Sequence, residues 1–301
     1  MIQKFFLSVS VLFFVCCLSL FAQNTEESSE TDPVSILLVT AHPDDDALFS
    51  GTIYRLTHEF EARVDLALVT NGEGGYKYST LGNEIYGLEL DKEEVGREFL
   101  PGIRKMELMK GGEIVGLRNY FFLDEQDTDY TTDMEIVFTS HWDTARVKQK
   151  FRDILRDHDY DYVFTLLPTK TTHGHHKASA VLMMRVIEEM PRSNRPIVLS
   201  ATIFDEEFPK TTYRGFEKYP ITKPMSDTAY VTFNRMQKFG HNDRLTYQII
   251  SNWVIAEHKS QGTMQLLMNR GKMEQYWFWG KNNPEDFDKV KALFEKISPQ
   301  K

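Results

Sequence analysis

Apolar positions along the chain fall into short continuous runs that alternate with amphipathic segments. VSILLVTA (34–41) reads as a buried strand, DALFSGTIYRLTHEF (46–60) as a helix with one apolar face, and VDLALVTN (64–71) as a second strand. GIRKMELMKGGEIVG (102–116) has helical spacing until Gly111 and Gly112 weaken it. NYFFL (119–123) predicts a third strand, TARVKQKFRDILRDH (144–158) a helix, and DYVFTLLP (161–168) a fourth strand. HKASAVLMMRVIEEM (176–190) is a further helix and PIVLSATIF (196–204) a fifth strand. Strands separated by helices predict an α/β fold, a Rossmann-like and mostly parallel sheet with helices on both faces.

The pattern loosens over 206–244, where Pro, Thr, Tyr and charge recur without a clear period, and long loops or an irregular hairpin region are expected. RLTYQIISNWVIAEHKS (244–260) and EDFDKVKALFEKIS (285–298) read as helices. Residues 33–301 are therefore expected to form a single catalytic domain, with its core at 34–204 and an irregular and helical C-terminal portion, 205–301, shaping the pocket. QYWFWG (275–280) is expected to pack as a core strand, with stacking on sugar rings as the competing use.

The N-terminal end follows another logic. Lys4 precedes a charge-free apolar stretch from Phe5 to Ala22, and an acidic polar tract follows. This reads as a secretory signal peptide over 1–22, then a polar linker over 23–32; the competing reading is a retained membrane anchor. Cleavage removes both cysteines, Cys16 and Cys17, so disulfides and Cys-ligated metals are excluded from the mature chain. It also removes Lys4, taking the formal net charge from −9 to −10. An acidic chain without a basic stripe argues against a nucleic-acid partner. The expected location is outside the cytoplasm, periplasmic or secreted, with no stable membrane insertion after cleavage.

Chemistry concentrates where the strands end. His42, Asp44, Asp45 and Asp46 follow the first strand, TNGEGG (70–75) the second, LDEQD (123–127) the third, and PTKTTHGHHKAS (168–179) the fourth. Ligands of open parallel sheets bind beyond these carboxyl ends. So many ionisable groups are tolerable there if a dication neutralises them, and His, Asp and Glu without Cys suit Zn²⁺. His42 and Asp45, three apart where a strand runs into a helix, with His176 from the distant loop, make three protein ligands and leave a position open, the catalytic rather than the structural arrangement. Asp44 is then a free carboxylate beside the ion. Asp124 and Asp127 are candidates for sugar hydroxyls, with an ordinary polar turn as the alternative. Other chemistries find no footing: Lys77 stands where G-x-G-x-x-G needs its last glycine, Ala62 breaks an H-E-x-x-H at 58–62, and no G-x-S-x-G occurs.

AHPDDD followed by GT, then TNGEGG, RKMEL and the late HGHHKA together resemble the PIG-L/LmbE-like zinc-dependent N-acetylglucosamine deacetylases over most of 34–204; EHKSQG (257–262) resembles a further element of that family. The resemblance implies one Zn²⁺ per chain on His42, Asp45 and His176, with Asp44 as general base. It implies that His173 stabilises an oxyanion or protonates the leaving amine, that Arg104 lies on the substrate side, and that His258 reaches the pocket mouth. Three positions depart from the family pattern: Asp46 replaces the usual Glu, Ser50 a glycine, and His175 an Asp that would orient His173. His175 thus becomes a candidate substrate contact of altered character. The expected function is removal of the N-acetyl group from an N-acetylglucosamine-type sugar or glycoconjugate. The alternatives are a metal-dependent hydrolase of another acyl amide or ester, and a secreted sugar-binding protein without turnover. Nothing in the sequence bears on oligomeric state.

Overall fold

The computed structural model describes residues 33–128, 130–205 and 212–299; the signal-peptide and linker segments lie outside the described residues. Seven strands form one sheet: β1 (Ser35–Thr40), β2 (Arg63–Thr70), β3 (Leu117–Glu125), β4 (Tyr162–Leu166), β5 (Ile197–Phe204), β6 (Tyr230–Asn234) and β9 (Met273–Phe278). A separate pair, β7 (Lys238–Phe239) and β8 (Leu245–Thr246), lies beside it. Strand order is β3-β2-β1-β4-β5-β9-β6, with β1 to β5 mutually parallel and β9 antiparallel to both its neighbours. The expected mostly parallel α/β sheet is therefore present.

Both faces are covered, and β1 shows why its run is apolar throughout. Ile36 and Leu38 point into one core with Leu66, Leu68 and Phe164, while Leu37 and Val39 point into the other with Ala67, Val69 and Val163. The first face is closed by α1 (Ser50–Glu59), α3 (Glu93–Val115), α6 (Tyr247–Glu257) and α7 (Asp286–Ile297). The second is closed by α4 (Thr144–Asp157), whose Val147, Phe151 and Ile154 form one stripe, and by α5 (Gly174–Glu189). A short α2 (Thr80–Tyr86) lies between β2 and α3.

Four details differ from the sequence reading. A 3-10 turn, Asp45–Phe49, precedes α1. Helix α3 begins at Glu93 rather than 102 and runs through Pro101 and both glycines; acidic Glu93 and Glu94 suit its N-terminal dipole. Gly111 does not end this helix but lets it approach: a β-carbon there would lie 3.2 Å from Asp46 Oδ2 and 3.3 Å from Val254. The 206–244 region contributes β6, whose alternating burial is that of a real sheet strand, and β8 occupies the start of the helix expected from 244. QYWFWG lies largely in β9 with Tyr276, Trp277 and Phe278 buried, so these aromatics are core.

Candidate active site

Strand order reverses between β1 and β4, and the crevice beyond their carboxyl ends is where a doubly wound sheet binds ligands. The chain leaving β1 turns sharply because Asp45 Oδ2 accepts hydrogen bonds from the backbone N–H of Ala41 at 2.9 Å and of His42 at 2.8 Å. The chain leaving β4 enters α5, which brings His176 in its first turn to the same place. His42 Nδ1 lies 2.9 Å from His176 Nε2, Asp45 Oδ1 lies 3.1 Å from His176 Nε2, and Asp45 Oδ2 lies 3.7 Å from His42 Nδ1.

Nitrogen and oxygen ligands about 2.0–2.2 Å from a tetrahedral ion stand roughly 3.2–3.6 Å apart. The three separations bracket that range, and the donor set of two imidazoles and a carboxylate suits zinc, so the residues fit a divalent ion. Burial pushes Asp45 up, yet the charges of His176 and His42 and the backbone donors hold it well below the carboxylate range. His42 is pulled down by burial but raised more strongly by Asp127, Asp45 and Asp44, to about 9.

A second trio, His42, His173 and His175, also converges, but both ring nitrogens of His175 and Nδ1 of His173 are otherwise engaged. His175 is completely buried, with Nδ1 at 3.2 Å from His42 Nε2 and 3.4 Å from Asp127 Oδ1, and Nε2 at 3.1 Å from Thr128 Oγ1. Nδ1 of His173 accepts the N–H of His175 at 2.9 Å, capping α5. The ring proton of neutral His173 therefore sits on Nε2. Burial, reinforced by the neighbouring histidines, lowers His173 to about 2, so it is neutral at ordinary pH. Burial likewise lowers His175 to about 4, against the pull of Asp127.

Asp44 Oδ2 is 3.1 Å from an Arg104 Nη2 that α3 presents from below. The other Arg104 terminal nitrogen donates to the Gly72 carbonyl at 2.7 Å and lies 3.6 Å from Asp127 Oδ2. Gly72 is at φ 79°, and a β-carbon there would meet the Pro43 ring at 2.8 Å, so the TNGEGG turn needs glycine to pack under the β1 turn. Asn71 shapes the same turn, its side-chain oxygen accepting the Glu73 N–H at 3.0 Å. Asp127 is buried; burial raises it, but His42, His175 and Arg104 hold it well below the usual range.

These groups open into a cavity of about 240 Å³ whose walls include His42, Asp44, Asp45, Arg104, Asp127, His173 and His176. The sequence reading missed several others that line it: Lys77, Tyr78, Thr128, Tyr130, Gln261, Thr263 and Met264. Gln261 was legible only as part of EHKSQG; Tyr130, whose ring meets His173 edge-on with centroids 4.7 Å apart, carried no signal.

Three expectations are corrected. His258 does not reach the mouth: it is buried with Nε2 at 2.8 Å from Asp46 Oδ1, tying α6 to the turn after β1. Asp46 is therefore bonded across the fold. His175 lies behind the cavity wall, since its burial and bonds to His42, Asp127 and Thr128 leave it no surface for substrate. Asp124 pairs with Lys105 on the surface, away from the cavity, whereas Asp127 lines the cavity with its carboxylate committed to His42, His175 and Arg104.

A family profile described as "PIG-L: GlcNAc-PI de-N-acetylase" matches residues 37–187, the stretch that carries both the Asp-rich turn and the histidine cluster. The chain belongs to the PIG-L family. The chain is similar to a Bacillus cereus protein described as a probable N-acetyl-alpha-D-glucosaminyl L-malate deacetylase 2, with 27% identity over 168 residues, 56% of this chain and 67% of that one. Among solved structures, a deacetylase triple mutant from the teicoplanin biosynthetic pathway superposes with a TM-score of 0.52 at 16% identity, covering 81% of this chain and 97% of that one; it shares the fold. The N,N'-diacetylchitobiose deacetylase of Pyrococcus horikoshii gives a TM-score of 0.41 at 19% identity, over 56% of this chain and 60% of that chain's length.

Proposed function

We propose that this PIG-L protein is a zinc-dependent hydrolase that removes the N-acetyl group from an N-acetylglucosamine-type sugar or glycoconjugate. The observation that carries this reading is a single cavity lined by the converging donors of His42, Asp45 and His176 and by a further carboxylate, Asp44, outside that trio. A divalent ion bound by those three residues supplies Lewis acidity, polarising an amide carbonyl and acidifying water.

The chain's own residues do the rest. Asp44, held by Arg104 at 3.1 Å, takes the proton of the attacking water as general base. His173, neutral and with its proton on Nε2, donates a hydrogen bond to the oxyanion that develops on the acyl carbon. With the Nε2 proton of His173 committed to the oxyanion, the amine receives its proton back from Asp44 as the C–N bond breaks. Lys77, Gln261 and the Gly74–Gly75 backbone line the same cavity and offer polar partners to sugar hydroxyls.

We also propose export through the N-terminal segment, supported by Lys4 ahead of the apolar stretch to Ala22. No helix among the described residues is long and apolar enough to cross a membrane. The enzymatic reading is tested by measuring free amine and acetate from N-acetylglucosamine, chitobiose and related glycosides with metal-stripped and zinc-restored protein. Zinc-dependent release supports it. Metal binding with release only from non-sugar amides or esters points to another acyl substrate, and sugar binding without release points to a binding protein.

A further inference from the structure

A second cavity, of about 250 Å³, adjoins the first and shares Asp44, Asp45, His176 and Met264 as walls. Beyond these shared residues most of its lining side chains are aliphatic. Leu48, Leu166, Leu167, Ile203, Ile255 and Leu267 line it, and polar side chains such as Thr172 and the exposed Arg270 complete it. The buried cation among the described residues of its wall is neutralised: Arg235 Nε donates to Glu274 Oε1 at 2.7 Å, and its Nη2 to the carbonyls of Ala47 at 2.9 Å and Leu48 at 2.6 Å. The proposed chemistry does not use this space.

The two cavities meet at the reacting groups, so a substrate that occupies both is divided at its scissile bond. On one side of an amide is the amine, carried here by the sugar; on the other is the acyl group. Hydroxyls find partners in the cavity of Lys77, Tyr130 and Gln261, and would leave them unmet against leucine and isoleucine. The sugar therefore belongs in the first cavity and the acyl group in the second. An acetyl group offers this cavity one methyl, and water would fill the remainder against aliphatic walls.

We infer that the second cavity is an acyl-chain subsite and that this enzyme's substrates extend beyond N-acetyl sugars to amides of longer straight-chain aliphatic acids. The inference rests on the deacylase reading above. In the reaction, the bond between acyl carbon and amine nitrogen breaks and one forms from that carbon to the oxygen of water. One water proton passes through Asp44 to the nitrogen, and the products are a fatty acid and the free amino sugar.

The test is free-amine release by the zinc-loaded, full-length enzyme from methyl glycosides of N-acetyl-, N-butyryl-, N-hexanoyl- and N-octanoylglucosamine. The expected result is that kcat/KM rises with chain length, roughly fourfold for each methylene that leaves water, until the cavity is full. In Leu267→Trp, whose indole takes part of the space, the preference for hexanoyl over acetyl falls at least tenfold. Greatest turnover with acetyl and decline with every lengthening overturns the subsite while leaving amide hydrolysis in place. An unchanged preference in Leu267→Trp overturns the assignment of the chain to this cavity. No amine release from any member of the series overturns the deacylase reading and this inference together.

Discussion

Asp44 and Arg104 stand 3.1 Å apart across the floor of the polar cavity, and this contact joins the turn after β1 to the middle of α3. The same guanidinium reaches the Gly72 carbonyl and the Asp127 carboxylate, so one buried side chain sets the positions of groups from three strand ends.

Arg104→Lys keeps the charge but loses the planar fork that serves three acceptors at once. It should lower kcat/KM by about 10–100-fold, because a small misplacement of the base is costly. Steady-state kinetics beside a thermal melt decide the point: loss of activity with little loss of stability is expected, and wild-type kinetics would remove Arg104 from the machinery.

Removal of metal should expose a particular pH dependence. In the metal-free protein His42 is raised from 6.5 to about 9. Its stabilising contribution is therefore complete below about pH 6.5 and is lost as pH rises through about 9, an effect on the order of 3 kcal/mol. With zinc the trend reverses, since ion and proton compete for the same nitrogen and affinity rises with pH. Denaturant unfolding with chelator and with zinc, between pH 6 and pH 9.5, checks both signs; parallel profiles would contradict the shared site.

The Asp46–His258 pair is buried on both sides, at 2.8 Å. Burial raises Asp46 while His258 opposes it, so His258→Leu leaves a carboxyl without its partner and should cost about 3–5 kcal/mol. Asp46→Leu/His258→Leu should recover a substantial part of that loss. Equal destabilisation of single and double variants, read by denaturant unfolding, would show that packing rather than pairing matters.

His175 occupies the position where the family pattern has Asp, and Asp127 Oδ1 lies 3.4 Å from its ring. Installing the family residue, His175→Asp, places two carboxylates side by side in a buried site and should lower the melting temperature more than His175→Asn does. The reverse order would mean that Asp127 moves freely enough to accept a neighbour of its own charge.

The parallel sheet and the converging trio were readable because they rest on local patterns. The apolar runs of β1, β2, β4 and β5 are buried on both faces, His42 and Asp45 lie in the turn that leaves β1, and His176 lies in the first turn of the helix that follows β4. What escaped depends on distance along the chain. Asp46 and His258 are 212 positions apart, and nothing near either announces the other. Helix α3 was read too short because Pro101 and Gly111–Gly112 are poor helix formers by propensity, whereas packing against Asp46 and α6 demands small residues there. Strand β6 is five residues long, too short for its alternation to stand out from the surrounding loops. Asp127 was legible as a polar residue after β3, but not as a carboxylate already committed to two histidines and an arginine.

The most direct measurement compares acetate release by zinc-loaded wild type and Asp44→Asn on N-acetylglucosamine glycosides, with bound zinc quantified in both. The expected result is zinc-dependent release by wild type and equal zinc content in the variant, with kcat lowered by about 10²–10⁴-fold, the usual worth of a positioned base. Zinc bound by both proteins with undiminished release by Asp44→Asn would contradict the central claim that this carboxylate moves the proton.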